Sequence, residues 1–197
     1  PYQKDGYIWL NYMDRLGFGA CLADDMGLGK TLQVLAYLER MRKTKKDARV
    51  LLIDSGITSR KLGKRSGKFV PRMDIRILHG RGAAVLGQEV KEESAFLTVT
   101  TYGMAARIKE LRDIQWECVI LDEAQAIKNP LTNQTKAVKL LKDRMKIAMT
   151  GTPIENESVK SDGLYLYFPG QRPSGHIKRV QGVYERARRA SGAVCAP

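Results

Sequence analysis

Two clusters of side chains in this chain could act together on a phosphorylated ligand. The first is the run Ala23-Asp24-Asp25-Met26-Gly27-Leu28-Gly29-Lys30-Thr31, and the second is Asp122-Glu123-Ala124-Gln125. A strand leading through Gly27 and Gly29 into a helix turns several backbone N–H groups toward one spot. Glycine lets the backbone approach a ligand closely, and the helix N-terminus adds positive potential for phosphate. In that frame Lys30 reaches the β- and γ-phosphates of a nucleotide such as ATP, and the Thr31 hydroxyl ligates Mg²⁺. Asp25, Met26, Gly27, Leu28, Gly29, Lys30 and Thr31 are therefore candidate nucleotide-binding residues. A Gly-Lys-Thr triplet alone has a plainer reading, a glycine-rich helix start, and the strict phosphate-loop pattern has Gly where this chain has Asp24.

The second cluster removes much of that ambiguity. Asp122 ends Cys118-Val119-Ile120-Leu121, the most apolar run of the chain, where a carboxylate needs a cation or hydrogen bonds. Its best role is coordination of Mg²⁺, and Glu123 is the candidate general base that orients and deprotonates an attacking water. An Asp-Glu pair elsewhere would read as a solvated helix start.

Both clusters must sit at the ends of strands in one sheet, and the intervening sequence suits that sheet. Apolar runs Gly19–Asp24, Arg49–Ile53, Ile75–Leu78, Phe96–Thr100, Glu117–Leu121 and Lys146–Met149 are strand candidates. Thr31–Lys43 places Leu32, Leu35, Leu38 and Met41 along one stripe, and Met104–Arg112 and Leu131–Lys142 supply further helices. This alternation predicts an α/β fold with a mostly parallel central sheet and helices on both faces.

Composition bounds the function class. The 197 residues suffice for one sizeable core. No apolar run approaches the ~20 residues of a membrane span, so no membrane partner is expected. The first residues lack a signal-peptide pattern and an initiator Met, as if cut from a longer protein. Cys21, Cys118 and Cys195 have no metal-site spacing. Cys21 and Cys118 read as small core residues, and an intracellular setting, cytoplasmic or nucleoid in a bacterium, follows as an expectation. The net charge of +13 suggests a polyanion. Much of it is concentrated, however: residues 54–67 hold four basic and one acidic residue, and residues 158–197 seven and two.

The motifs together resemble the Swi/Snf family of helicase-like DNA translocases, within helicase superfamily two. Asp24-Asp25-Met26-Gly27-Leu28-Gly29-Lys30-Thr31 is that family's variant of the phosphate loop. Val119 to Pro130 and Met149-Thr150-Gly151-Thr152-Pro153-Ile154-Glu155-Asn156 carry the rest of the match. The resemblance implies a RecA-like P-loop lobe over residues 1–157 that binds ATP and Mg²⁺ and contacts the backbone of double-stranded DNA. It implies that Gln3 senses adenine and that Thr100, Thr101 and Gly103 track phosphates. It further implies that Thr150, Gly151 and Thr152 couple nucleotide state to DNA contact, and that Gln125 senses the γ-phosphate or bridges to that segment. On the residues alone, Gln3 is an exposed polar terminus, Thr100 and Thr101 ordinary strand-end residues, and Thr150–Thr152 a turn before Pro153. His79-Gly80 also fits the family pattern, but no chemistry is assigned to it.

The chain departs from the family in two stretches. After Ile53 the family continues with a DNA-contacting Pro-Ala-Ser-Leu-Leu-like segment, whereas residues 54–67 have neither helical nor strand period. Codons compatible with Asp54–Phe69, read one nucleotide later, spell IPASLLGNWEREAE, the missing segment. Codons for His176–Pro197 likewise allow family-like sequence in a shifted frame. Residues 54–67 and 158–197 are therefore read as out-of-frame translation, the latter as a disordered non-family tail. The implied second RecA-like lobe, whose arginines complete such a site and are worth ~10³–10⁵ in rate, is not recognisable here. The expectation is a monomeric fragment of a DNA-dependent ATPase, weak or inactive alone. The competing reading is a catalytically silent nucleotide- or DNA-binding module; a generic phosphate-loop switch or kinase fits the two later motifs poorly.

Overall fold

The computed structural model describes residues 2–22, 29–55, 73–80 and 82–151. Asp25, Met26, Gly27, Leu28 and Thr152, most of residues 54–67 and all of residues 158–197 lie outside the described residues.

Among the described residues six strands form one sheet: β1 (Ala20–Leu22), β2 (Val50–Asp54), β3 (Ile75–Ile77), β4 (Leu97–Thr101), β5 (Gln115–Leu121) and β6 (Lys142–Met149). Their order is β1-β6-β5-β2-β4-β3, with every adjacent pair parallel. The helices are α1 (Tyr2–Leu16), α2 (Lys30–Thr44), α3 (Ala83–Glu92), α4 (Tyr102–Arg107) and α5 (Asn133–Lys139), with 3₁₀ turns at Lys109–Arg112 and Ala124–Ile127.

The expected α/β architecture with both faces covered is what the chain adopts, and strand periodicity explains how. Along β2, Val50 and Leu52 join a core with Leu10, Met13, Leu35, Leu38 and Met41, so α1 and α2 cover that face. Leu51 and Ile53 point the other way, into a core with Leu86, Val90, Tyr102, Ala105 and Val138 from α3, α4 and α5. β5 splits identically, with Cys118 and Ile120 on the first face and Val119 and Leu121 on the second. Burial raises the Cys21 thiol to about 11 and pushes Cys118 up as well, as expected of inert core thiols.

Several elements differ from expectation. The α1 and α3 helices have no counterpart among the expected elements. A side chain at Gly6 would run into the Gln33 carboxamide, so the glycine that weakens the helical pattern is what lets α1 approach α2. The helix expected over Met104–Arg112 breaks at Ile108, whose φ of −84° and ψ of 94° leave the helical region. Ile108 is fully buried, and Leu111 anchors the following 3₁₀ turn. The helix expected over Leu131–Lys142 is shorter, capped by Thr132, whose hydroxyl accepts from the Thr135 amide at 3.2 Å. The residues beyond it open β6.

At the N-terminal edge of the sheet, charged groups alternate in a ring. Lys45 and Arg144 each pair with both Asp14 and Glu117. The ring joins the end of α1, the end of α2, β5 and β6. On the β3 side, Arg49 and Arg76 donate to the carbonyls of Val90, Glu89 and Glu93 at the end of α3, where cations suit the helix dipole. The Arg49 guanidinium also lies 5.3 Å from the centre of the Trp116 ring.

Candidate nucleotide site

Because all six strands are parallel, their C-terminal ends share one edge, the place where open α/β sheets bind ligands. Leu22, Thr150, Asp122, Asp54 and Thr101 stand there at or just past the ends of β1, β6, β5, β2 and β4.

The α2 N-terminus sits at this edge. Gly29 adopts φ 85° and ψ 26°, a left-handed conformation, and its carbonyl accepts from the Leu32 and Gln33 amides at 2.9 and 3.2 Å as the helix begins. A Cβ at Gly29 would come 2.5 Å from the Gln3 amide nitrogen, so Gln3 of α1 folds directly over the turn. Sequence reasoning joined Gln3 to the phosphate loop only through family resemblance, and the fold supplies the contact.

Asp122 follows β5, and its backbone N–H donates to the Ile53 carbonyl at 2.8 Å, extending the β2–β5 ladder by one bond. Burial raises its carboxyl to about 6, with the nearby Asp54 and Glu123 carboxylates adding to the rise. The hydrogen bond from the Glu123 amide and the charge of Lys30 act the other way, which places Lys30 within electrostatic reach of Asp122. The set fits a magnesium nucleotide. A glycine-led helix start faces the phosphates, a lysine stands near, and a half-desolvated carboxylate with neighbours of its own sign gains from a divalent cation. Lys30, the α2 amides and Gln3 would hold the nucleotide, and Thr31 and Asp122 the metal, which would supply charge neutralisation and a Lewis acid.

Glu123 is the one non-glycine residue with positive φ among the described residues, at φ 49° and ψ 52°. Such a conformation costs energy and persists where surroundings enforce it. Three bonds do so. The Glu123 amide donates to Asp122 Oδ1 at 3.0 Å, the Tyr102 hydroxyl donates to the Asp122 carbonyl at 2.9 Å, and the Gln125 amide donates to the Glu123 carboxylate. The other end of the Gln125 carboxamide accepts from the Thr150 hydroxyl at 2.9 Å. The Thr150 amide in turn donates to the Leu22 carbonyl at 3.0 Å, at the end of the strand that leads into the phosphate loop. Gln125 thus joins Glu123 to Thr150 by hydrogen bonds at both ends of its carboxamide.

The expected phosphate-tracking residues are not equivalent. Thr100 is buried, at 1% exposure, and its hydroxyl donates to the Leu78 carbonyl at 3.4 Å. Thr101 is half-buried and accepts from the Met104 amide as the cap of α4. Among the described residues no atom lies within 4 Å of where a Cβ at Gly103 would stand. Thr101 and Gly103 are the two of the three that are not buried. Gly151 is half-buried beyond β6.

Two residues escaped sequence reasoning. Asp54, at 0% exposure, ends β2 between Asp122 and Thr101. Its acidity was visible, but nothing in the sequence placed it beside Asp122. Tyr102 was flanked by two expected phosphate contacts, and only the fold carries its hydroxyl to Asp122.

Comparison with known proteins agrees with this geometry. The chain matches the family described as SNF2-related domain over residues 2–166. It is 37% identical over 190 residues to YwqA of Bacillus subtilis, named as an ATP-dependent helicase/translocase, covering 94% of this chain and 20% of that protein. Identity to the ISWI chromatin-remodeling complex ATPase ISW2 of Saccharomyces cerevisiae is 30% over 160 residues, covering 79% of this chain and 14% of that one. The Sulfolobus solfataricus SWI2/SNF2 ATPase core, solved in complex with dsDNA, superposes with a TM-score of 0.77 at 34% identity. That alignment covers 95% of this chain and 37% of the other. The chain therefore spans about a fifth or less of these curated relatives.

Proposed function

The chain belongs to the SNF2-related family, a lineage of ATP hydrolases, and from that premise we propose that it is the ATP-binding, RecA-like lobe of a DNA-dependent ATPase. The whole protein would translocate along double-stranded DNA and remodel protein–DNA complexes. One observation carries the reading: Glu123, Gln125 and Thr150 form an unbroken hydrogen-bonded relay beside Lys30 and Asp122. A general base tied to the segment after β6 suits a site in which hydrolysis is felt elsewhere.

In this reading Mg²⁺ is the second cofactor, held by Thr31 and Asp122, and Glu123 deprotonates water. Thr101 and Gly103 contact phosphates without reading bases, and a solved relative bound to dsDNA supports that partner. The isolated chain turns over ATP weakly if at all. Residues 54–67 and 158–197 are read as out of frame, and arginines of a second lobe would complete the site.

A second reading, a catalytically silent module, is favoured by one feature. Asp54 puts a second, fully buried carboxylate beside Asp122, at a strand end where the frame read one nucleotide later has isoleucine. ATP turnover with and without duplex DNA separates the two, comparing this chain with a frame-restored form joined to a second lobe. DNA-stimulated turnover abolished by Lys30→Ala is expected of the restored form. Its absence would defeat the enzymatic reading.

A further inference from the structure

The two functional halves of this edge lie on strands that do not touch. Asp122 follows β5 and Thr101 ends β4, with β2 between them. Two strand spacings separate β4 from β5, roughly 10 Å. Tyr102 crosses that gap. Its backbone opens α4 between Thr101 and Gly103, and its hydroxyl donates to the Asp122 carbonyl at 2.9 Å, over the end of β2. The ring is 3% exposed and belongs to the apolar cluster of Ile53, Leu121 and Ala124, so its position is set by packing.

The acceptor matters as much as the donor. The Asp122 carbonyl belongs to the peptide that enters Glu123, the residue held in the left-handed region. A strained conformation depends on the bonds that enforce it. A shift of the segment 101–103 moves the phenol, and the phenol is bonded to the peptide that sets the direction of the Glu123 carboxylate.

We propose that Tyr102 is the positioning residue that couples phosphate contact at Thr101 and Gly103 to the backbone of Asp122 and Glu123. This rests on the DNA-dependent ATPase reading above, and it adds the physical link through which duplex DNA is sensed at the hydrolytic carboxylate. The link is distinct from the Gln125–Thr150 relay, which leaves Glu123 toward β6 and β1 rather than toward β4.

Coupling between two sites is reciprocal, so it can be read from binding alone. The affinity of the full chain for a fluorescent Mg-ATP analogue is measured with and without a short duplex, and its affinity for the duplex with and without nucleotide. In the unmodified chain each ligand changes the other's affinity by one common factor, on the order of 5- to 150-fold for coupled sites. Tyr102→Phe, which keeps the ring and removes only the hydroxyl, brings that factor to about one while leaving each affinity measured alone in place. A purely structural role would lower the melting temperature and leave the factor intact. Persistence of the factor in the variant overturns the proposal, as does binding of nucleotide by the unmodified chain with no response to duplex. Failure to bind Mg-ATP at all would instead defeat the proposed function itself. Should Tyr102→Phe not fold, amide exchange in the unmodified chain decides: duplex alone must alter exchange at residues 122–125, and unchanged exchange there sinks the coupling.

Discussion

The Thr150 hydroxyl donates to the Gln125 carboxamide at 2.9 Å, and the far end of that carboxamide donates to Glu123. A residue at the end of β6 is thereby wired to the candidate base at the end of β5. The wiring uses the two-ended chemistry of glutamine, acceptor on one side and donor on the other.

Thr150→Val keeps the side-chain shape and removes the hydroxyl that Gln125 accepts from. In a frame-restored, two-lobe form, turnover should fall about tenfold with nucleotide affinity unchanged, and stability should fall by about 1 kcal/mol. Steady-state kinetics beside equilibrium nucleotide binding check this. A loss confined to affinity would contradict the relay.

Gly29→Ala places a Cβ in the left-handed region and 2.5 Å from the Gln3 amide nitrogen. The backbone term alone is about 1–2 kcal/mol, so Mg-ATP affinity should fall roughly tenfold or more. Fluorescent-nucleotide titration reads it directly.

The pH dependence has a definite sign. Asp122 in the folded chain titrates at about 6, above the ordinary carboxylate range. Between the two values the folded state holds a proton that the unfolded chain has released, so stability falls as pH rises through that window and levels off above it. Asp54→Ile removes one of the like charges and suits a fully buried strand end. Thermal melts from pH 4 to 8 should show the decline shrink and the midpoint rise in the variant.

Glu117→Gln breaks the ring at the opposite edge, since Lys45 and Arg144 both pair with that carboxylate. The pairs are partly exposed, so the cost is about 1–2 kcal/mol for the network and diminishes in high salt. Denaturant midpoints at two ionic strengths test it, with no change in nucleotide affinity expected.

Sequencing the encoding DNA tests the frame reading. The expected result is codons over 54–67 that spell IPASLLGNWEREAE one nucleotide later. Codons that cannot do so would remove the idea. The burial of Asp54 supports it physically: the shifted frame puts isoleucine at a fully buried strand end where this chain has a carboxylate.

The strands were legible because consecutive apolar residues such as Cys118–Leu121 have few alternatives to a strand covered on both faces. The β6 strand extends back to Lys142, because its first residues are charged and take part in the edge ring and the Lys146–Asp143 pair rather than in an apolar run. The α1 helix escaped notice because Gly6 lies inside it, although Leu10 and Met13 are buried and Tyr7 and Trp9 pack beside them. At the site, Lys30, Asp122 and Glu123 were legible because their types and neighbours have few other uses. Asp54 and Tyr102 were not. Their roles arise from strand order, which sets β2 beside β5 and β4 on the far side of β2, and residue types along the chain do not encode that order.

In the proposed ATPase, the left-handed backbone at Glu123 sets selection for hydrolysis against selection for robustness. Glycine or asparagine would occupy φ 49° more comfortably and would be expected to stabilise the lobe by roughly 1 kcal/mol, while deleting the carboxylate. Unconstrained drift therefore runs downhill, away from glutamate at this position. A collection of relatives that have abandoned turnover should show glycine or asparagine here sooner than it shows erosion of the surrounding core.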